Sequence, residues 1–313
     1  MAAQPRAVAR VIDPQPVREG AGVRLKRSIA TATLDYLDPF LLFDHFGSVD
    51  PDDYLAGFPW HPHRGIETVT YMLAGAVDHR DSIGNAGAIG AGDVQWMTAG
   101  GGIMHEEMPR APADGHMEGF QLWVNLPAEL KMTKPRYQDL SAAAVPLVRR
   151  EDGTVIRVIA GEVDGVPGAV SEIYAEPEYL DVSLPSGVGY AQPVPRGHAA
   201  LAYVFEGEGR FGVGCDLGYR ADLDGELLSA PRLAIFGDGD EVRVRADHAP
   251  VRFLLISGKP LLEPIARYGP FVMNTREELQ IALKDLQSDE FVWRDDDEWA
   301  RTRRTWSPED WSC

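Results

Sequence analysis

Only two cysteines occur in the 313 residues, Cys215 and Cys313. A disulfide framework is thereby excluded as the organiser of the fold, and a reducing, cytoplasmic setting is expected. The stretch from Met1 to Arg10 carries Arg6 and Arg10 but lacks the apolar core of a secretory signal. No apolar run reaches the roughly 20 residues a helix needs to cross a bilayer, so no membrane association is expected. Basic charge is also short: 30 Lys and Arg stand against 48 Asp and Glu, a formal net charge of -18. Such a surface repels a phosphate backbone, which argues against direct nucleic-acid binding. Apolar residues at helical spacing are nearly missing before about residue 128. A chain 44% hydrophobic and 25% charged is nevertheless an ordinary globular composition, and the length suffices for two cores.

What is present is a succession of short strand-like runs separated by Gly, Asp and Pro. Glu67 to Gly75 is rich in β-branched and aromatic residues and ends in a turn signal, and Phe120 to Leu126 reads the same way. A break follows over Pro127 to Pro146. Beyond it the same grammar returns. Pro195-Arg196-Gly197-His198 precedes the strand ending at Gly207 much as His61-Pro62-His63-Arg64-Gly65 precedes the strand ending at Gly75. Gly237-Asp238 likewise echoes Gly92-Asp93. Two copies of one β-barrel are expected. Thr275, with Glu278 three residues on and leucines at 279, 283 and 286, signals one capped helix over Glu277 to Leu286. The four tryptophans at 293, 299, 306 and 311 are costly to leave in water, so the tail from Asp289 to Cys313 is expected to pack back on the body or on a second chain.

The chemistry is concentrated between Gly57 and Pro109. Side chains two apart on a strand share a face, so His61 and His63 point together, as do His105 and Glu107. If both strands line one barrel interior, three imidazoles and a carboxylate converge and leave room on a metal for substrate. A lone His-x-His is a weak signal. A second pair of metal-ligating residues at the same spacing, after a Gly-Asp turn and the Gly100-Gly101-Gly102 run, makes it a strong one. Glu67 is also evenly spaced from His63, so strand parity alone does not separate it from Glu107, although a bulge at Arg64-Gly65 would break that count. His45 has no ligand two residues away and is expected to be a packed, hydrogen-bonded core residue. His198 lacks a companion ligand, and His248 in a polar loop is expected to be solvated.

At these residues the sequence resembles the pirin family of the cupin superfamily. The blocks that carry the resemblance are Phe43-Asp44-His45-Phe46-Gly47, His61 to Tyr71, Gly92 to Gly100, Gly102 to Pro109, Gln121 to Leu126 and Gly269 to Thr275. It implies an all-β bicupin of two jelly-roll-like barrels with a short C-terminal helix. The barrels would occupy residues 1–135, with the metal site, and 136–288, without metal but with the helix, leaving 289–313 as a Trp-rich charged tail. It places the metal on His61, His63, His105 and Glu107, with Glu107 also the catalytic base and Glu67 outside the ligand set. The implied metal is iron(II), with another divalent transition metal as the alternative. The implied activity is 2,3-dioxygenation of flavonols such as quercetin, a small aromatic substrate with dioxygen as co-substrate. The competing reading is a non-catalytic regulatory or protein-binding module that responds to the redox state of iron. A zinc isomerase-type cupin ranks behind both.

Overall fold

The computed structural model describes residues 3–214, 225–288 and 290–295. Strands are the dominant element among them, at 52% of residues, and the only α-helix described is Arg276–Gln287. The chain forms two compact units, one built from Met1–Gln15 with Ala143–Pro260 and one from Pro16–Ala142 with Leu261–Cys313.

The unit that carries the histidine pairs has two main sheets. Seven strands run in the order Arg136–Leu140, Val94–Thr98, Ile66–Ala74, Met117–Asn125, Phe40–Ser48, Val23–Ile29 and Gln15–Glu19, and four in the order Phe58–His63, Ile103–Arg110, Ala76–Asp81 and Ala86–Gly90. From Arg136–Leu140 through to Val23–Ile29, and throughout the four-stranded sheet, neighbouring strands pair antiparallel. Met72 and Met117 from the first sheet pack against Val77 and Ile89 from the second, which closes the jelly roll around one interior. The other unit repeats the theme. A ten-stranded sheet is organised on the long strand Ala199–Phe211, and its core gathers Tyr190, Phe211 and Phe253 with aliphatic neighbours.

The structure divides the chain differently from the expected 1–135 and 136–288 in two places. The N-terminal arm belongs with the second barrel: Val8–Ile12 pairs antiparallel with Arg232–Phe236, and the buried Arg6 guanidinium donates to the carbonyls of Pro195, His198 and Gly237. The segment from Leu261 on returns to the first barrel, taking the helix with it. The capping box forms as expected, with Thr275 accepting from the Glu278 amide and Glu278 from the Thr275 amide. The leucines at 279, 283 and 286 pack with Phe271, Ala282 and Phe291.

Buried polar groups hold that return. The Lys131 ammonium donates to the Gly65 carbonyl at 2.9 Å, to Asn125 at 2.7 Å and to the Val272 carbonyl at 3.0 Å. Arg64 donates to Asp285 at 2.8 Å and to the Phe291 carbonyl at 3.0 Å, with its guanidinium 4.5 Å from the Phe291 ring centroid. Gly65, at φ 79°, is required here, because a Cβ would lie 2.0 Å from the Val272 oxygen. The Trp293 amide reaches the Gly102 carbonyl at 3.0 Å, so the tail packs back on the barrel as far as it is described. Trp299, Trp306, Trp311 and both cysteines lie outside the described residues.

Arg64 and Asp285 have side chains only 1% and 6% exposed, so removing one partner leaves a buried charge uncompensated. Asp285→Asn is expected to lower unfolding stability by about 3 to 5 kcal/mol. The paired change Arg64→Met with Asp285→Leu should recover much of it. Chemical denaturation of the three proteins measures both effects.

Candidate metal centre

Phe58–His63 contains two prolines, which a central strand would not tolerate; it lies at the edge of its sheet, where the missing N–H groups cost no ladder bonds. Its neighbour is Ile103–Arg110, with His105 directly opposite His61. The register shifts by one residue before Glu107 meets Phe58, so the proline-bearing strand bulges beside the ligands. On the other side the pairing is regular, placing His105 opposite Asp81 and Glu107 opposite His79. His105 and Glu107 therefore keep their common face.

The three imidazoles come together. Ring centroids are 4.8 Å apart for His61 and His63, 4.3 Å for His61 and His105, and 5.0 Å for His63 and His105. One nitrogen from each lies within 4.8 Å of the others, and no other such group of three ligating residues occurs among the described residues. Glu107 is not part of that group. It stands on the wall of the same cavity and accepts a hydrogen bond from the Thr70 hydroxyl at 3.3 Å.

Electrostatics suit the imidazoles to a cation. Burial lowers the pKa of His61, and it lowers those of His63 and His105 well below the ordinary value, helped by the neighbouring histidines. All three are then neutral ligands at physiological pH. His61 Nδ1 lies 2.9 Å from the Pro59 carbonyl, which can only accept, so Nδ1 carries the proton and Nε2 keeps its lone pair. Neither ring nitrogen of His105, although buried, has a hydrogen-bond partner among the described residues. A buried imidazole lone pair is expensive to leave empty, and a divalent metal would take the one that the neutral ring offers. Burial pushes the Glu107 pKa up to about 7, against the Thr70 hydrogen bond.

Glu67 lies elsewhere. The chain leaves the four-stranded sheet at His63, turns through Gly65 and enters the seven-stranded sheet at Ile66, so the even count from His63 carries no geometric meaning. Thr70, whose hydroxyl meets Glu107, is on the opposite face of that strand from Glu67. Glu67 is fully buried and accepts from Thr98 at 2.6 Å. His45 is buried, 3.1 Å from Glu118 and 4.7 Å from the Phe120 ring. His198 lies in the other unit with its carbonyl bound by Arg6, and His248 is exposed.

The cavity in front of the histidines has a volume of about 530 Å³, a size ordinary for a small-molecule site. Leu25, Leu42, Phe46, Phe58 and Trp123 give it apolar walls. Trp123 stands edge-on to His63, 5.1 Å between centroids. Three further polar wall residues, none of them read as part of the site from the sequence, are Arg27, Asp44 and Arg267. Arg27 grips Asp44 through two bonds of 2.8 and 2.7 Å and Glu19 through one of 2.7 Å. Arg267 arrives on the returning C-terminal segment.

Two jelly-roll barrels, with three histidines converging inside the first, define a bicupin with a cluster that could hold a metal ion. Residues 22–124 match the Pirin family and residues 179–292 the Pirin C-terminal cupin domain. A pirin-like protein of Caulobacter vibrioides is 42% identical over 287 residues, 91% of this chain and 99% of its own. The chain belongs to the pirin family. Among solved structures, a quercetin 2,3-dioxygenase from Acinetobacter baumannii matches with a TM-score of 0.80 at 34% identity, over 91% of this chain and 98% of that one. A bacterial pirin of Escherichia coli in complex with nickel(II) shares the fold, with a TM-score of 0.61 at 20% identity over 80% of this chain and 99% of its own.

Proposed function

We propose that this pirin is an iron(II)-dependent dioxygenase that opens the heterocycle of flavonols such as quercetin with loss of carbon monoxide, its metal held by His61, His63, His105 and Glu107. The observation that carries the reading is the cluster of three neutral imidazoles with Glu107 beside it, on the wall of an apolar cavity of about 530 Å³. The similarity to the Acinetobacter baumannii quercetin 2,3-dioxygenase supports the choice of substrate.

The metal supplies Lewis acidity that favours an ionised enolic or catecholic hydroxyl, and a partner for dioxygen chemistry. The residues supply the rest. Glu107, with a pKa near neutrality before metal is bound, is placed to take the hydroxyl proton from the substrate. The Thr70 hydroxyl, which also meets Gln121 at 2.9 Å, holds the carboxylate in orientation. Phe46, Phe58 and Trp123 offer flat apolar surface to an aromatic ring and keep water from it. Trp60, 44% exposed with Arg80 over its ring, stands at the edge of this wall.

The direct test is oxygen uptake by the iron-loaded protein with quercetin and a panel of flavonols and catechols. Steady uptake with product release supports the reading. No uptake across the panel rejects it in favour of a metal-dependent binding module with a protein partner.

Ligation by Glu107 has a separate signature. Below pH 7 this carboxyl is protonated in metal-free protein, while His63 and His105 are already neutral, so metal uptake at pH 6 should release close to one proton from Glu107. At pH 8.5 the release should be nearly nil, and Glu107→Gln should abolish it at pH 6. Calorimetric titration in buffers of different ionisation enthalpy measures the proton count.

A further inference from the structure

The cavity has a second pole. From His63 the contacts run outward through Trp123 to Arg267, whose guanidinium carbon lies 5.2 Å from the centroid of the Trp123 ring. Arg267 therefore stands at the far side of an aromatic platform whose near side is the metal centre. Two cations line this wall, and they differ. The charge of Arg27 is cancelled by Asp44 and Glu19. Arg267 donates to two backbone carbonyls, Leu41 at 3.0 Å and Gly269 at 3.4 Å, and among the described residues no carboxylate forms an ion pair with it. Burial lowers its pKa, with Asp35 and Asp44 acting only at a distance. A half-buried cation anchored by neutral oxygens and facing an apolar cavity has charge to offer a ligand.

We infer that Arg267 is a specificity-determining residue of the cavity: it takes an anionic oxygen, a phenolate or carboxylate, on the end of a planar aromatic ligand remote from the hydroxyls that face the histidines, while Trp123 supports the ring between. This rests on the reading of the cavity as a site for hydroxylated aromatics and narrows it to ligands acidic at both ends. The two carbonyl bonds fix the guanidinium before a ligand arrives, so little side-chain freedom is lost on binding. The residue comes from the returning segment at Ala266–Tyr268, which makes that segment part of the binding site as well as of the fold.

The probes are 6,7-dihydroxynaphthalene-2-carboxylate and its methyl ester, which share the catechol end and differ only in charge at the other. Their dissociation constants are measured by calorimetry on iron(II)-loaded protein under nitrogen, where no turnover intervenes. Wild-type protein should favour the carboxylate by about tenfold or more, the scale of a charge-assisted hydrogen bond. In Arg267→Gln that ratio should fall to about one, with the ester's affinity and the bound iron unchanged; Arg267→Lys should keep part of the preference. Equal binding of the two probes by wild-type protein overturns the inference without any variant. So does a folded, metal-replete Arg267→Gln protein that keeps the preference. If wild-type protein binds neither probe, the aromatic-ligand reading falls together with it.

Discussion

Replacing His105 by Ala should leave the purified protein with almost no bound metal after reconstitution, and His61→Ala should do the same. The ring of His105 makes no hydrogen bond among the described residues, so its removal breaks no polar network that holds the barrel. The strand Ile103–Arg110 keeps its pairing on both sides. The loss is therefore confined to the metal, whose affinity should fall by more than about a hundredfold, since weakening even the supporting partners of a ligand costs ten- to a hundredfold. Metal content by elemental analysis beside circular dichroism separates loss of metal from loss of fold. His198→Ala is the control. That residue lies in the other unit, and its replacement should leave the metal content at the wild-type level. Metal lost from the His198 variant would place the site in the wrong barrel.

The histidine pairs were legible because they need only strand parity. His61 with His63, and His105 with Glu107, are each read from one extended segment, and the structure brings the three imidazoles together from adjacent strands. The capped helix was legible for a similar reason, since its signal lies within four residues. Parity stopped being informative where the chain changes sheets. Glu67 has the same even spacing from His63 as a ligand would, yet the turn at Gly65 carries it to another sheet and to the face opposite Thr70. Arg64-Gly65 signals locally that the count can break, but not that the chain passes to another sheet.

The parts that were not legible all depend on distant partners. Arg6 looks like an ordinary basic residue in a tail, but three carbonyls of the second barrel make it a buried anchor. Lys131 and Arg64 hold the segment after Leu261 against the turn that follows His63, and that segment brings Arg267 and Pro270 to the cavity. Reading the domains as successive blocks places this segment with the second barrel, whereas its contacts group it with the first. The cluster of three histidines could thus be found from sequence, whereas the far wall of the cavity could not.

Glu107→Gln should separate the enzyme from the regulatory module. The substitution preserves size, and its amide oxygen can still accept from Thr70, so the wall of the cavity should persist. It removes the negative charge beside the three imidazoles and the basicity that burial has brought to about 7. If the protein opens flavonols, Glu107 acts both as charge partner of the metal and as acceptor of the substrate's hydroxyl proton. Oxygen consumption per bound iron should then fall by roughly a hundredfold or more, the usual scale for losing a general base. Expressing the rate per iron keeps a lower metal load from imitating the effect. If the protein only senses the state of its metal, the same variant should instead shift the oxidation of the iron and the affinity for a protein partner. Wild type and variant would then share near-zero rates across the flavonol and catechol panel. That outcome rejects the dioxygenase, because a cavity that turns over flavonols through this carboxylate cannot lose it without a change in rate.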